Sequence, residues 1–449
     1  MTRPATEDYQ QRCREALDVA LAEVALYERF RSADPGPSHD LDSRYRALPI
    51  LTKSDIRAHF PYGLVPRGLD LDGALERGEV SFVTTSGTAD EALTNIWNQP
   101  WWNASERASW TLNSVAARVA TGNHPEAILA SALSVGPRSE GAPLPRSART
   151  LGRFLFLNEY PFAQDWPERH EARILGELSE LAPVVLEANP SLLARVARFA
   201  ARQGVLPFQP ELITLTYEYP SELQLKAIRQ VFRAPIASSY GSTEAGYVFM
   251  QCEHGGLHQN AEFCRVDLLP FGACEPGSDG APIALGRLVV TTFHNRWSPL
   301  LRFDIGDLGR RATEPCPCGR SSGMVLSAIE GRHRSACLGA EGRLLTHRAV
   351  DRALGAVPGL CDYQLEQISA RSVRLRLVAA DGQGPRCIRD AGELVRELFG
   401  RDVALEIAEV PAILPERSGK FLLVKRSFPL DWDGPEPTAP ALGGGSARA

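Results

Sequence analysis

Between residues 127 and 240, short apolar runs alternate with amphipathic helical stretches, and this alternation limits the fold more than any other feature. The runs are bounded by turn residues and are predicted to be buried strands. They are Ala127–Val135, Arg153–Asn158, Pro183–Ala188, Leu212–Tyr217 and Pro235–Tyr240. Between the later runs, apolar residues recur three and four positions apart, as on one face of a helix. This repetition predicts an α/β fold with a mostly parallel sheet, whose ligand binds at the carboxyl ends of the strands.

A change of pattern near residue 331 indicates a second domain. Residues 331–430 contain the alternating segments YQLEQI, SVRLRLVA and VALEIAEV and one helical stretch, RDAGELVRELFG, which is typical of a small α+β domain. The sequence therefore predicts a large domain over residues 1–330 and a small domain over 331–430. Residues 431–449 are rich in proline and glycine and are predicted to form a disordered tail.

Charge and apolar content argue against several classes of partner. The formal net charge is −5 and no run of lysine and arginine occurs, so neither nucleic acid nor a membrane is expected to bind. No apolar segment reaches the roughly 20 residues that a membrane span needs, and the amino-terminal stretch resembles an amphipathic helix rather than a signal peptide. A cytoplasmic protein is expected, and a homodimer is left open. In that compartment nine cysteines favour metal ligands or buried thiols over disulfides.

Four short stretches carry residue types suited to binding a nucleotide. They are TTSGTADE (Thr84–Glu91), SSYGSTEAG (Ser238–Gly246), PLLRFDIGDLG (Pro299–Gly309) and LPERSGKFLLV (Leu414–Val424). In this order they resemble the adenylate-forming enzymes, the superfamily of acyl-CoA synthetases and peptide-synthetase adenylation domains. LPILTKSDIR (Leu48–Arg57) resembles the branch of phenylacetate-CoA ligases and their capsule-biosynthesis relatives.

The resemblance implies an AMP-forming carboxylate ligase with a small mobile carboxy-terminal domain. Such an enzyme uses ATP and Mg²⁺ to convert a small-molecule carboxylic acid to an acyl-adenylate, and then passes the acyl group to a nucleophile, here first expected to be coenzyme A. An amine or a carrier-protein thiol is the alternative acceptor. A catalytically silent nucleotide-binding protein is the alternative of a different class. Because the carboxylate must approach the α-phosphate, the reaction needs positive or dipolar partners.

The resemblance also assigns roles to residues within these stretches. Thr243 is implied to contact the α-phosphate, Glu244 to hold Mg²⁺, and Lys420 to bridge the substrate carboxylate and the α-phosphate. Asp307 is implied to accept both ribose hydroxyls, and Arg332 to reach ribose or phosphate. The other implied nucleotide contacts are Thr85, Ser86, Gly87 and Thr88 at the β- and γ-phosphates, Tyr240 at adenine with Gly241 and Ser242 in its motif, and, more weakly, Tyr217 and Glu218.

Each stretch also has a structural interpretation. TTSGTADE suits a polar surface turn, YGSTE a capped loop and RFDIGD an ordinary turn. Tyr217 suits plain packing, and Arg332 and Lys420 suit solvated surface positions. In the first stretch, Asp90 and Glu91 stand where relatives carry a cation. Either they face solvent while amides and hydroxyls hold phosphate, which we favour, or the loop binds ATP poorly.

A group of cysteines suggests a metal site. Cys252 and His258 follow the second stretch, and Cys316 and Cys318 follow the third in a CPCG turn. Three thiolates and one imidazole suit structural Zn²⁺, and capsule-type relatives look similar here. His254 is the competing imidazole, and free thiols are the alternative interpretation.

Four tryptophans follow the first stretch, at positions 97, 101, 102 and 110. Their rings could line a pocket for an aromatic acid, although core packing is their commoner role. The sequence determines the acid no further.

Overall fold

The computed structural model describes residues 7–85, 92–119, 123–271 and 284–430. Its α-helices are α1 (Glu7–Glu23), α2 (Glu28–Arg31), α3 (Leu41–Ala47), α4 (Lys53–His59), α5 (Leu71–Glu76), α6 (Gln99–Trp110), α7 (Ser114–Val119), α8 (His170–Leu181), α9 (Pro190–Gln203), α10 (Glu222–Val231), α11 (His347–Leu354) and α12 (Gly384–Phe399). Its strands are β1 (Ser81–Thr84), β2 (Thr94–Trp97), β3 (Glu126–Leu129), β4 (Thr150–Leu151), β5 (Phe154–Phe156), β6 (Val185–Ala188), β7 (Leu212–Leu215), β8 (Ile236–Ser242), β9 (Gly246–Gln251), β10 (Leu257–Gln259), β11 (Cys264–Pro270), β12 (Leu285–Thr292), β13 (Phe303–Arg311), β14 (Val325–Arg332), β15 (Cys337–Leu338), β16 (Leu344–Leu345), β17 (Leu360–Ser369), β18 (Ser372–Ala379), β19 (Ala404–Glu409) and β20 (Val424–Arg426).

A twelve-stranded mixed sheet is the largest within these ranges, with the strand order β11-β12-β13-β14-β10-β9-β8-β7-β6-β3-β5-β4. Strands β5, β3, β6, β7 and β8 are parallel, whereas the strands from β8 through β9 to β11 pair antiparallel. The predicted α/β fold is confirmed. The sheet is mixed rather than mostly parallel because no described helix separates β8 from β14, and antiparallel strands need no helical crossover.

The parallel half follows the predicted alternation of strands and helices. Helices α8, α9 and α10 cover one face of it, where alternate strand residues such as Leu186 and Ala188 are fully buried. Burying a leucine side chain contributes about 1.5–3 kcal/mol, so this face stabilises the sheet. Helix α9 begins after Asn189, whose side chain accepts two backbone N–H bonds, and ends at Gly204, which has a φ of 64°.

A smaller carboxy-terminal unit has its own sheet, in the order β19-β18-β17-β20, with α11 and α12 packed on it. Its core includes Tyr363, Leu375 and Val395, and Leu223 of α10 joins that core from the larger unit. The boundary at residue 331 stays a prediction. The predicted tail, residues 431–449, lies outside the described residues.

The small unit is bonded to the start of α10. The Asp351 carboxylate accepts the backbone N–H of Glu222 at 3.0 Å and the hydroxyls of Tyr363 at 3.0 Å and Tyr219 at 3.3 Å. The two units therefore meet beside the ends of the parallel strands. Within the described ranges, no helix combines the length and apolar character that crossing a bilayer requires.

Candidate active site

A cavity of about 2180 Å³ lies at the carboxyl ends of β7 and β8, beneath the small unit. Residues from all four predicted stretches line it, among them Thr85, Tyr240, Asp307 and Lys420. The sheet changes at β8 from parallel to antiparallel pairing, and such ends of open α/β sheets are the usual ligand positions. The fold thus brings together stretches that are distant in sequence.

Asp307 lies in β13 between two partners that fix its carboxylate. The Tyr240 hydroxyl donates to Oδ2 at 2.8 Å, and Arg332 Nε lies 3.3 Å from Oδ1. Asp307 and Arg332 are also paired across β13 and β14. Burial raises the pKa of Tyr240 well above its usual value, so the phenol remains a donor. The structure thus places these three predicted residues in one cluster.

The turn between β8 and β9 carries the rest of the second stretch. A Cβ at Gly241 would lie 2.1 Å from the carbonyl oxygen of Gly246, so this position requires glycine. The Ser242 hydroxyl accepts the backbone N–H of Ala245 at 3.1 Å. Thr243 lines the cavity. The turn is therefore held by main-chain contacts, and it directs Thr243 toward the ligand space.

Glu244 ends this turn with a side chain only 4% exposed. Its Oε1 accepts no hydrogen bond from the described residues, and Lys53 Nζ lies 3.5 Å away. Lys53 is the first residue of α4, which begins with a capping box at Thr52. One turn later Arg57 also lines the cavity and donates to the Ala92 carbonyl at 3.2 Å. Helix α4 therefore presents two cations beside the first stretch.

Thr85 is bonded to Leu93, and the rest of the first stretch lies between these two residues in sequence. Its backbone N–H donates to the Leu93 carbonyl at 2.9 Å, and its hydroxyl accepts the Leu93 N–H at 2.9 Å. The predicted residues Ser86, Gly87 and Thr88, and the acidic pair Asp90 and Glu91, lie outside the described residues. A phosphate-binding role for this loop stays a prediction.

Lys420 projects from the small unit into the cavity and is half-buried. Burial lowers the pKa of its ammonium, as does Arg332, while Glu218, Asp307 and Glu244 act in the opposite direction. The ammonium thus interacts with three carboxylates and a guanidinium that belong to the second and third stretches and to neighbouring segments. The role that the resemblance implies for this lysine stays a prediction.

Glu218 anchors the loop that carries Lys420. Its Oε1 accepts the backbone N–H of Phe421 at 2.8 Å, and its Oε2 accepts the Ser191 hydroxyl at 2.8 Å. A Cβ at Gly419, where φ is 76°, would lie 2.7 Å from Ser131 Oγ, so the loop packs closely on the large unit. Glu218 was a weak candidate for an adenine contact, and that role stays a prediction.

Tyr217 faces a different part of the cavity. It has a left-handed φ of 74°, and its hydroxyl donates to Glu187. Nearby, the Tyr247 hydroxyl donates to Glu106 at 2.9 Å. Burial, followed by repulsion from other glutamates, raises the pKa of Glu126 to about 8 and that of Glu187 to about 7. The adenine role of Tyr217 stays a prediction. The group of acidic residues formed by Glu106, Glu126 and Glu187 was not predicted from the sequence.

The four tryptophans divide between cavity and core. Trp97 and Trp102 line the cavity with ring centroids 4.6 Å apart. Trp101 is buried and donates its indole N–H to the Phe293 carbonyl at 2.8 Å, and Trp110 belongs to a buried cluster. Only the first two can contact a ligand there.

The predicted metal ligands Cys252, His258, Cys316 and Cys318 converge, with their ligand atoms all within 4.8 Å of one another. Two sulfurs, those of Cys252 and Cys316, are 3.5 Å apart, and Cys318 Sγ lies 3.2 Å from His258 Nε2. A tetrahedral zinc with Zn–S bonds of about 2.3 Å separates its sulfurs by about 3.8 Å, so the arrangement fits this ion. His254 is exposed, and its ring is not part of the group.

Comparisons with known proteins agree with these motifs. No protein-family model matches the chain. It is 26% identical over 336 residues to the phenylacetate-coenzyme A ligase of Thermus thermophilus, covering 72% of this chain and 69% of that protein. A shorter match of 26% over 134 residues to the protein CapK of Staphylococcus aureus covers 30% of this chain and 28% of CapK.

Comparison with solved structures shows that the fold is similar to that of a CoA ligase. A 2-hydroxyisobutyryl-CoA ligase in the postadenylation state has a TM-score of 0.69 at 18% identity, covering 95% of this chain and 90% of that chain. The same enzyme in the thioesterification state has a TM-score of 0.57 at 19% identity, covering 95% and 91%. The chain is thus similar in sequence to a phenylacetate-coenzyme A ligase and similar in fold to a CoA ligase that forms an acyl-adenylate.

Some residues at the cavity were not found by sequence reasoning. The cations Lys53 and Arg57 belong to the segment Leu48–Arg57, which was used only for its resemblance to the phenylacetate-CoA ligases. The glutamates have a recognisable signal in hindsight, since Glu187 interrupts the apolar strand VVLEA and Glu126 begins another. An ionisable residue at a strand position that is otherwise apolar indicates a buried polar site.

Proposed function

We propose that the protein activates a carboxylic acid with ATP to form an acyl-adenylate, and then transfers the acyl group to a nucleophile, with coenzyme A as the favoured acceptor. The observation that carries this proposal is the convergence of Lys420, Glu244 and Asp307 at one cavity, although they come from distant parts of the chain. The names of the Thermus ligase and of the 2-hydroxyisobutyryl-CoA ligase support an acyl-CoA product.

Asp307 and Tyr240 would bind the nucleoside. A carboxylate can accept both ribose hydroxyls, and Arg332 and the Tyr240 hydroxyl hold Asp307 in a fixed orientation for this task. The Tyr240 ring would lie against adenine. Preorganisation of this kind lowers the entropic cost of binding.

Lys53 and Arg57 would neutralise the phosphates. The described part of the first stretch contains no lysine or arginine, and the acidic pair in its undescribed part adds none. Helix α4 supplies the missing positive charge from the neighbouring segment, and Thr243 supplies a hydroxyl. This arrangement supports the interpretation that the loop contributes amides and hydroxyls while the cation comes from elsewhere.

Glu244 would hold Mg²⁺. Its buried Oε1 accepts no hydrogen bond from the described residues, and a carboxylate oxygen is the donor that this hard cation prefers. When bound, the ion would neutralise phosphate charge. The Lys53 ammonium, 3.5 Å from this oxygen, would orient the carboxylate until then.

Lys420 would act in the first half-reaction. A carboxylate oxygen of the acid attacks the α-phosphorus, the bond to the β-phosphate oxygen breaks, and pyrophosphate leaves. An ammonium between the two approaching anions stabilises this transition state. In the second half-reaction the acceptor attacks the acyl carbonyl and AMP leaves. The acceptor's proton is lost to solvent or to a base that we leave unassigned.

The four-ligand cysteine and histidine group would hold structural Zn²⁺. It lies at the far ends of β9 and β13 from Glu244 and Asp307, and none of its members lines the cavity. A closed site with four protein ligands leaves no open position for substrate. Its role would be to join the β9–β10 and β13–β14 connections.

The acceptor is less determined than the activation step. An amine or a carrier-protein thiol remains the second candidate, since a solved amide bond synthetase from Marinactinospora thermotolerans has a similar fold with a TM-score of 0.50. A cytoplasmic location, a homodimer, and a lid domain over residues 331–430 remain parts of the proposal that rest on sequence.

Acid-dependent exchange of labelled pyrophosphate into ATP tests the activation step. Wild-type protein should catalyse exchange with at least one acid, and Asp307→Asn should reduce it strongly, while Glu180→Gln, an exposed change on α8, should not. Absence of exchange with every acid, together with undiminished ATP binding, would favour the silent nucleotide-binding protein. Adding coenzyme A or an amine to the active acid then identifies the acceptor.

A further inference from the structure

Three of the glutamates that line the cavity form a group that the proposed chemistry does not use. Glu126 begins β3, Glu187 lies in β6, and Glu106 lies on α6. Glu126 is 2% exposed and Glu187 is 9% exposed. A buried carboxylate costs several kcal/mol when it is ionised without a partner, so two of them beside the half-buried Glu106 require an explanation.

The strand register places Glu126 and Glu187 on the same face of the sheet. Strands β3 and β6 are parallel, with Glu187 opposite Ile128, so Glu126 lies one pleat away on the adjacent strand. The alternate residues Ala127 and Leu186 point to the core under α8–α10. The acidic face is therefore the face that lines the cavity.

Two of the three carboxylates have tyrosine donors. Glu187 accepts the Tyr217 hydroxyl, and Glu106 accepts the Tyr247 hydroxyl at 2.9 Å. Each carboxylate can accept several bonds, so one phenol apiece leaves capacity for a further donor. The tyrosines orient the carboxylates and bring no charge.

Glu126 has a buried oxygen that lacks a hydrogen bond. Its Oε2 accepts none from the described residues, although Arg153 Nη2 lies 3.4 Å away and His124 Nε2 lies 3.6 Å away. Arg107, on the exposed side of α6, is the other guanidinium near this group. Three carboxylates thus face two guanidinium groups, so acidic side chains outnumber basic ones by one in this part of the cavity.

Burial and mutual repulsion change the protonation of the group. Burial alone raises the pKa of Glu106, whereas burial together with the smaller effect of repulsion from other glutamates raises that of Glu126 to about 8 and that of Glu187 to about 7. Without a ligand, Glu126 and Glu187 are therefore largely protonated near neutral pH. The bound protons neutralise the charge that a cationic ligand would otherwise neutralise.

We propose that the acid activated by this protein carries a basic nitrogen, whose ammonium lies among Glu106, Glu126 and Glu187 while its carboxylate reaches Lys420. This inference rests on the proposed function, because one cavity contains both ends. Ile128 and Phe154 also line it and would contact the hydrocarbon between the two charged groups.

A metal ion fits the same glutamates less well. Within the described residues, ligand atoms of three or more acidic, cysteine or histidine residues come within 4.8 Å of one another only in the cysteine and histidine group. The glutamates are therefore too widely spaced for one ion. An ammonium can instead donate hydrogen bonds to one of these carboxylates and interact with the others through its charge.

Matched acids test the inference. Pyrophosphate exchange is measured with β-alanine against butanoate, γ-aminobutyrate against pentanoate, and para-(aminomethyl)benzoate against para-ethylbenzoate. In at least one pair kcat/KM should favour the amine by about tenfold or more, the scale of a charge-assisted hydrogen bond. Glu187→Gln and Glu126→Gln should remove that preference, while Glu180→Gln should leave it in place.

The outcomes separate the two proposals. Exchange with neutral acids alone, or equal use of both partners in every pair, would overturn the amine inference and keep adenylation. If no acid supports exchange and calorimetry detects no binding of the three amino acids, both are overturned. Saturable Mg²⁺ binding that Glu187→Gln abolishes and that the amines do not displace would also overturn the inference.

Discussion

A single lysine changes the interpretation of the acidic phosphate loop. Lys53 lies 3.5 Å from Glu244 and one helical turn from Arg57, and both cations line the cavity beside the loop. A cation on α4 can stabilise a bound phosphate as well as a cation on the loop can, because the Coulomb energy depends on the distance between the charges and not on their position in the sequence. The electrostatics of the site thus depend on a residue outside the loop.

Replacing Lys53 with methionine tests this role. Lys53→Met should raise the KM for ATP by about tenfold, because about 1.4 kcal/mol is a moderate value for a partly buried charge contact. Steady-state kinetics at saturating acid give the measurement. Arg14→Met, on the exposed part of α1, is the control. An unchanged KM in a folded Lys53 variant would show that the lysine only pairs with Glu244.

The acidic group predicts a pH dependence of stability. Glu126 and Glu187 have folded pKa values of about 8 and about 7, above the ordinary carboxyl value of 4.5. Between pH 4.5 and these values the folded state binds more protons than the unfolded state, so the free energy of unfolding falls as pH rises.

Glu187→Gln isolates one contribution. Glutamine resembles the protonated acid, so the variant should gain stability relative to wild type between about pH 5 and pH 8, in the direction that linkage requires. Urea denaturation of ligand-free protein across this interval gives the difference. A constant or shrinking difference would contradict the raised pKa.

At the scale of elements, the antiparallel half of the sheet positions the residues that are proposed to bind the nucleotide. Asp307 and Arg332 meet because β13 and β14 pair in that register, and Tyr240 reaches Asp307 across the sheet from β8. The cysteine and histidine group joins the connections at the other ends of these strands. A metal there would limit the movement of strands that carry ligand-binding side chains.

Removing one ligand of that group should destabilise the fold more than it alters nucleotide binding. Cys316→Ser is expected to lower the Tm by several degrees, since about 1 kcal/mol shifts the Tm of a large domain by roughly 2–4 °C. Metal analysis should show about one zinc per wild-type chain and less in the variant. Cys361→Ser, outside the group, is the control. Wild-type protein purified without chelator and free of zinc would contradict the assignment.

Features that depend on a short stretch of sequence were predicted better than features that depend on contacts between distant segments. The strands and helices from Glu126 to Ser242 follow periodicities that are visible within a dozen residues, and the cysteine spacing is equally local. The mixed sheet was not predicted, because antiparallel pairing depends on register between distant strands. The acidic group was missed for the same reason, since Glu106, Glu126 and Glu187 meet only through the register of β3 and β6 and the packing of α6.

At the scale of the molecule, the small unit places Lys420 in the same cavity as Glu244 and Asp307. In the proposed mechanism this placement serves the first half-reaction. Transfer would require the small unit to rotate, and a few residues can accommodate such a rotation. The two half-reactions should therefore depend differently on Lys420.

Lys420→Ala should lower acid-dependent pyrophosphate exchange by about a hundredfold or more, the scale of losing a major electrostatic contact. Transfer from a chemically prepared acyl-adenylate to the acceptor should remain largely intact, because two anions no longer need to approach each other. Lys425→Ala, five positions along and outside the cavity, is the matched control. Equal loss of both steps in a folded variant, or loss of neither, would contradict the role.

The hydrogen bond from the backbone N–H of Phe421 to the Glu218 carboxylate determines which substitutions are tolerated at these two positions. Every amino acid except proline has this N–H, so the contact does not depend on the side chain at 421. Phe421 itself packs partly against apolar residues of both units. Among clones randomised at this codon, active ones should carry varied apolar residues and lack proline. Position 421 can therefore diverge while Lys420 keeps its place, whereas position 218 cannot.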